Sequence, residues 1–260
     1  MKERTAGEER ALVGAVDRAL RVLELLSQVE DADLTGLATR AELPKSTVLR
    51  LLRTLESHNF VQQDLQTRRY SLGWALIHLG KASERQSKPV RLLRSFLERV
   101  SRETGETASL AMLDGNYAVY VDQVLSRNII RGVPPIGTHL WLHATAVGKA
   151  LLSALDEERL DRLLREVGLP QITERTIINA TRLREDLAVV RKRGYAVDDE
   201  EAERGGRCIA APVRDETGAT VAALSITGPT SRIRPDTIDE YAKIVCEVVG
   251  QASRLLGYSP

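Results

Sequence analysis

Between Val13 and Leu72 the hydrophobic period of the sequence changes once, from helical to alternating, and this restricts the fold more than any other feature. From Val13 to Val29 the apolar residues Val16, Leu20, Leu23 and Leu26 recur at three- and four-residue spacing, which predicts an amphipathic helix. Asp33 is placed to cap a short second helix reaching about Glu42, and Pro44 suits the first turn of a third that runs to about Ser57. From Phe60 to Leu72 the β-formers Val61 and Tyr70 flank a polar turn, Asp64 to Thr67, and predict a hairpin. Three helices and then a hairpin make a winged helix-turn-helix.

The third helix has the two faces that such a module needs. Val48, Leu51, Leu52 and Leu55 form an apolar stripe, while Lys45, Ser46, Thr47, Arg50 and Arg53 project elsewhere. Small hydroxyls near the N-terminal end could enter a major groove, and the Arg50 guanidinium could bridge guanine O6 and N7. In the wing, Arg68 and Arg69 sit beside the turn, where they could meet phosphates or a narrow minor groove. Residues 40 to 69 hold six basic side chains against three acidic ones. A surface helix whose charges are only solvated has the same periodicity, so periodicity alone leaves both readings open.

Beyond the hairpin, Trp74 to Arg85 is again helical in pattern, and the polar stretch Ser83 to Lys88 before Pro89 marks a boundary. The sequence therefore divides into a DNA-binding domain over residues 10–73, a linker helix over 74–88 and a second domain over 89–258. In that second domain helices are expected at Val90 to Glu103, Thr145 to Leu155, Glu157 to Val167, Leu183 to Arg193 and Pro235 to Leu256. Strands are expected at Thr107 to Leu113, Tyr117 to Leu125, Tyr195 to Asp199, Cys208 to Arg214 and Thr220 to Thr227. The short turn Asp215 to Gly218 joins antiparallel neighbours, so the class is α+β, an antiparallel sheet flanked by helices.

Composition excludes other classes. The 260 residues are 43% hydrophobic and 28% charged with net charge +1, values of a chain that buries a substantial core. Two cysteines, Cys208 and Cys246, are too few for a disulfide framework or a multi-cysteine zinc site and suit a reducing compartment. The charged opening MKERTAGEER lacks an apolar signal core, and no apolar run is long enough to span a bilayer, so a cytoplasmic location with no membrane partner is expected. There is no G-x-S-x-G, H-E-x-x-H, P-loop or G-x-G-x-x-G motif, and His58, His78, His139 and His143 are scattered. Neither catalysis, a metal nor a cofactor is expected.

The run LTGLATRAELPKSTVLRLLRTLESHNFVQQDLQTRRYSLG, Leu34 to Gly73, resembles the winged helix-turn-helix of the IclR (isocitrate lyase regulator) family of transcriptional regulators. LHATAVGKALLS, DDEEAERGGRCIAAPV and ALSITGP resemble that family's effector domain, and together the matches cover the chain from Val13 to about Gly257. One departure is Gly36, where the family often has a helix former; inside a helix a glycine costs roughly 1 kcal/mol.

The resemblance implies a GAF-like second domain that binds a small molecule and modulates binding to a double-stranded operator, in a homodimer or homotetramer. It implies a pocket formed by Leu140, Thr145, Ala146, Val147, Asp198, Cys208, Ser225 and Thr227. If Thr145 begins a helix, free N–H groups of Ala146 and Val147 would suit a carboxylate, so an organic acid is expected. Gly206 stands where many relatives have a larger residue, which implies a roomier pocket and a bulkier, aromatic acid. Taken singly, Thr145 is also an ordinary N-cap, Asp198 a turn carboxylate and Cys208 a small buried hydrophobe. The rival reading is a redox or catalytic GAF-like domain acting through Cys208, and a third is an architectural DNA-binding protein without a ligand. For self-association through the linker the candidates are Trp74, Leu76, Ile77 and Leu79, which packing within the domain would equally explain.

Overall fold

The computed structural model describes residues 13–128 and 133–259, so the expected domain start at residue 10 lies outside the described residues. The chain forms two compact units that divide between Gln86 and Ser87. In the first, α1 (Gly14–Leu26), α2 (Leu34–Ala41) and α3 (Lys45–Ser57) precede β1 (Val61–Gln63), β2 (Tyr70–Leu72) and α4 (Trp74–Gln86). Asp33 caps α2 by accepting from the Gly36 N–H at 2.9 Å. Gly36 therefore lies in the first turn, where a side chain rather than an intrahelical carbonyl takes its N–H.

Val22, Leu26, Leu37, Val48, Leu52, Val61 and Tyr70 make the core of this unit. Val16 and Leu20, expected on the same stripe as Leu26, are instead 56% and 54% exposed, because α1 packs on α2 and α3 only through its C-terminal half. The hairpin pairs Val61 with Leu72 and Gln63 with Tyr70, and its turn is tied by Asp64 Oδ1, which accepts from the N–H groups of Gln66 and Thr67. Gly73 follows because a Cβ there would stand 2.2 Å from the Asn59 carbonyl oxygen.

The second unit is one antiparallel sheet covered on both faces. In chain order its elements are α5 (Lys88–Thr104), β3 (Thr107–Asp114), β4 (Tyr117–Val124), β5 (His139–Leu140), α6 (Ala146–Leu152), α7 (Glu157–Val167), α8 (Ala180–Arg193), β6 (Ala196–Asp199), β7 (Gly206–Arg214), β8 (Thr220–Pro229) and, after a 3₁₀ turn at Pro235–Thr237, α9 (Ile238–Leu255). The strand order is β5-β4-β3-β8-β7-β6. The bounds depart from expectation in places: α6 stops at Leu152 rather than Leu155, α8 begins at Ala180 rather than Leu183, α9 begins at Ile238 after the 3₁₀ turn rather than at Pro235, and the two-residue β5 is too short to show a period.

The two faces of the sheet differ in side-chain size. Toward α5 and α9 it presents Leu110, Ile209, Val213, Leu224 and Ile226. Toward α6, α7 and α8 it presents Ala111, Ala196, Ala210 and Ala223, and by alternation along β3 and β8 also Ser109 and Ser225. Register shifts opposite Leu110 and Ala111, leaving Val121 unpaired in β4. This bulge lets Tyr120 face α6 while Asp122 pairs with Arg94 of α5 at 2.5 Å.

Candidate nucleic-acid interface and effector site

In α3 the two faces expected from the sequence are sorted by burial. Val48 and Leu52 are fully buried and Leu51 and Leu55 half-buried, whereas Lys45, Ser46, Arg50 and Arg53 are exposed and Thr47 is half-buried. Among the described residues no carboxylate forms an ion pair with Lys45, Arg50 or Arg53. The Pro44 carbonyl accepts from the N–H of Thr47 and of Val48, so the exposed residues start on a well-formed first turn. A short basic helix is thus presented outward with its charges unspent, which is what lying in a major groove requires.

The two wing arginines are not alike. Arg68 is exposed at the turn, in the left-handed region at φ 59°. Arg69 is half-buried: its Nε lies 2.5 Å from Asp31 Oδ1, and further guanidinium nitrogens lie 3.2 Å from the Asp31 carbonyl oxygen and 3.7 Å from Asp33 Oδ2. The expected phosphate contact by Arg69 therefore competes with two carboxylates that already hold the side chain.

In the second unit the implied pocket residues converge on the small-residue face of the sheet, under α6. Asp198 and Cys208 are cross-strand partners, as are Cys208 and Thr227, so the three form one row across β6, β7 and β8. The Cys208 Sγ lies 3.1 Å from Thr227 Oγ1. Ser225 is two residues along β8 on the same face, and Leu140 of β5 packs in the same cluster as Ala146 and Val147. The Thr145 hydroxyl is used by the fold: it donates to the Trp141 carbonyl at 2.9 Å and caps the Gly148 N–H at 3.2 Å. Among the described residues no acceptor meets the N–H groups of Ala146 and Val147. Gly148 lets α6 settle on the preceding backbone, since a Cβ there would lie 2.3 Å from the Leu142 carbonyl oxygen.

Sequence reasoning missed Ser109, Tyr120 and Lys149 here. Ser109 of β3 pairs with Ser225 of β8, and both hydroxyls are buried without a hydrogen-bond partner among the described residues. Tyr120, 5% exposed, directs its hydroxyl toward Thr227 and Ser225, and burial keeps it protonated far above the ordinary tyrosine range. Lys149 of α6 is fully buried, with Nζ 2.6 Å from Glu201 Oε1 and 3.2 Å from Asp186 Oδ2, the latter without hydrogen-bond geometry. The available signals were a serine between apolar residues on an otherwise apolar strand and a lysine within the apolar run AVGKALL.

Burial, and next the neighbouring Glu201 carboxylate, push Asp198 up to about 7, although its Oδ1 accepts from the N–H groups of Glu201 and Ala202. Burial likewise pushes the Cys208 thiol far above its ordinary value, which leaves little thiolate for nucleophilic or redox chemistry. His143, held neutral by burial, hydrogen-bonds the Pro170 carbonyl at 3.0 Å. Among the described residues no three His, Cys, Asp or Glu side chains are grouped to hold a metal ion, and no helix is long and apolar enough to cross a membrane. The expected benefit of Gly206 is not evident, because a Cβ there would meet the Glu203 carbonyl oxygen at 3.3 Å rather than open space.

An outward-facing basic helix with a wing, joined to an α+β unit with a buried polar floor, defines a DNA-binding regulator of two domains. Residues 15–65 match the model of the IclR helix-turn-helix domain and residues 88–254 that of the bacterial transcriptional regulator IclR C-terminal domain. The chain belongs to the IclR family of transcriptional regulators. It is 37% identical over 246 residues to the HTH-type transcriptional regulator BhcR of Paracoccus denitrificans, covering 95% of this chain and 88% of that protein. It is 36% identical over 248 residues to the transcriptional repressor IclR of Escherichia coli, covering 94% and 90%. The crystal structure of an IclR transcriptional regulator from Alicyclobacillus acidocaldarius superposes with a TM-score of 0.83 at 32% identity, covering 95% of this chain and 100% of that one.

Proposed function

We propose that this regulator grips a double-stranded operator with Lys45, Ser46, Thr47, Arg50 and Arg53 of α3 and Arg68 of the wing, and that a small organic acid in the second unit modulates that grip. The cluster of Ser109 and Ser225 carries the effector reading: two adjacent buried hydroxyls that find no hydrogen-bond partner among the described residues are costly unless a ligand completes them. The N–H groups of Ala146 and Val147 supply further donors for a carboxylate, and Leu140, Asp198, Cys208 and Thr227 complete the lining, with Thr145 holding the helix start.

The protein acts in the cytoplasm as a homodimer or homotetramer. Supporting this, Val16 and Leu20 of α1 and Trp74, Ile77 and Leu79 of α4 are at least half exposed, while a single winged module makes too few base contacts to select an operator alone. Footprinting on DNA upstream of the protein's own gene, with and without a panel of organic acids, tests the whole reading. Two protected half-sites about one helical turn apart or a multiple of it, altered by at least one acid, are expected. Protection that no acid changes would reject the effector, and no protection at all would reject the regulator.

A further inference from the structure

The two wing arginines divide their work, and we infer that Arg69 is a positioning residue: through Asp31 and Asp33 it fixes the wing beside the helix-turn-helix and leaves the phosphates to Arg68. The guanidinium of Arg69 reaches Asp31 Oδ1 at 2.5 Å and the Asp31 carbonyl oxygen at 3.2 Å. It also reaches, at 3.7 Å, the Asp33 carboxylate whose other oxygen starts α2 on the Gly36 N–H. Between these aspartates Ala32 exchanges both backbone hydrogen bonds with Tyr70, at 2.9 and 2.8 Å, and so ties that segment to the wing through one β-bridge. Side chain and backbone therefore brace one joint, that between β2 and the start of the helix-turn-helix.

Charge points the same way. Glu30, Asp31 and Asp64 line a groove of about 410 Å³ together with Arg69, three carboxylates against one guanidinium. A phosphate approaching Arg69 meets a negative surface, and binding there would require the guanidinium to leave Asp31. Arg68, by contrast, forms no ion pair among the described residues, while its N–H donates to the Asp64 carbonyl and its carbonyl accepts from Gln63 Nε2, which fixes the turn that displays it.

The inference rests on operator binding by the full chain, so the wild-type protein and Arg68→Ala are measured alongside on operator and random duplexes over a range of salt. Arg68→Ala should weaken both duplexes alike and lower the salt slope by about one. Arg69→Ala should weaken the operator complex, by up to about five-fold, with an unchanged slope, the scale of losing a part-exposed ion-pair brace.

Asp31→Asn is the decisive variant. Acting through charge alone, loss of a carboxylate near DNA would tighten binding to every duplex; acting through Arg69, it weakens the operator complex at constant slope. Exchanging the pair, Asp31→Arg with Arg69→Asp, should recover part of the loss. Should either single variant unfold, Arg69→Lys keeps the charge without the forked geometry and should weaken the operator complex in the same way. Tighter or unchanged binding by Asp31→Asn, or by Arg69→Lys where it stands in, overturns the inference, as does a salt slope in Arg69→Ala lowered like that of Arg68→Ala. Failure of the wild-type protein to bind any duplex would instead overturn the regulator reading.

Discussion

Ser109 and Ser225 stand directly opposite each other on β3 and β8, and each buries a hydroxyl that meets no partner among the described residues. An unmet buried hydroxyl costs about 1–3 kcal/mol, so in the absence of ligand the pair works against folding. Around them the sheet already carries Ala111, Ala210 and Ala223, so alanine fits the same face. Ser109→Ala and Ser225→Ala should therefore melt at the same temperature as the parent or higher, while the stabilisation by an effector shrinks. Thermal unfolding with and without the acid found by footprinting measures both. Lower stability with an intact effector response would show that these hydroxyls serve the fold instead.

Asp198 gives the ligand-free protein a pH dependence of definite sign. Its carboxyl is raised from 3.8 to about 7, first by burial and then by the Glu201 charge. Between those values the folded chain holds a proton that the unfolded chain has released, so this contribution is intact below about pH 4, falls as pH rises, and is constant above about pH 7. Asp198→Asn, whose side-chain oxygen can still accept from the N–H groups of Glu201 and Ala202, should flatten that part of the urea-unfolding profile. Because an ionised Asp198 repels a neighbouring carboxylate, an acidic effector should bind more weakly above about pH 7, and Asp198→Asn should remove this loss too. Identical pH profiles for parent and variant would mean that Asp198 is not the group responsible.

Arg50 and Arg68 should fail in different ways. Arg50 projects from the exposed face of α3 with no ion pair among the described residues, placed for a guanine edge, whereas Arg68 belongs to the wing. Arg50→Ala should lose about 1–3 kcal/mol of preference for operator over random DNA, the scale of one bidentate base contact. Arg68→Ala should leave that preference nearly intact. Titrating both variants against operator and random duplexes decides it; equal losses on both DNAs from both variants would remove the distinction.

What the sequence made legible follows from where each signal is local. The cap at Asp33, the Asp64 turn and the stripe from Val48 to Leu55 announce themselves within a few residues, and the corresponding elements lie where the pattern puts them. How much of the α1 stripe is covered is not legible, because Val16 and Leu20 share a period with Leu26 but meet no core among the described residues, and periodicity cannot say what a face packs against. Likewise nothing near Arg69 in sequence shows that Asp31, 38 positions away, will claim it. The polar floor had the same difficulty: Ser109 and Ser225 become neighbours only through the β3–β8 pairing, and Tyr120 faces them only because β4 bulges at Val121.

Lys149 offers a severe single substitution in the second unit. It is 1% exposed, and its ammonium is the cation that holds Glu201 down against the upward push of burial, with Asp186 close by. Replacement by methionine keeps most of the volume but leaves Glu201 a buried carboxylate without a counter-charge, a change that typically costs about 3–5 kcal/mol. With the ammonium gone, the folded-state value of Glu201 rises further, so the variant binds a proton on folding and its deficit grows as pH increases. Lys149→Met should therefore unfold at lower urea than the parent, with a gap wider near about pH 8 than near about pH 5. Adding Glu201→Gln should return part of the stability and most of the pH independence, because an amide needs no cation. If the double variant is no more stable than Lys149→Met, or the gap does not change with pH, the lysine acts through its packing and not its charge.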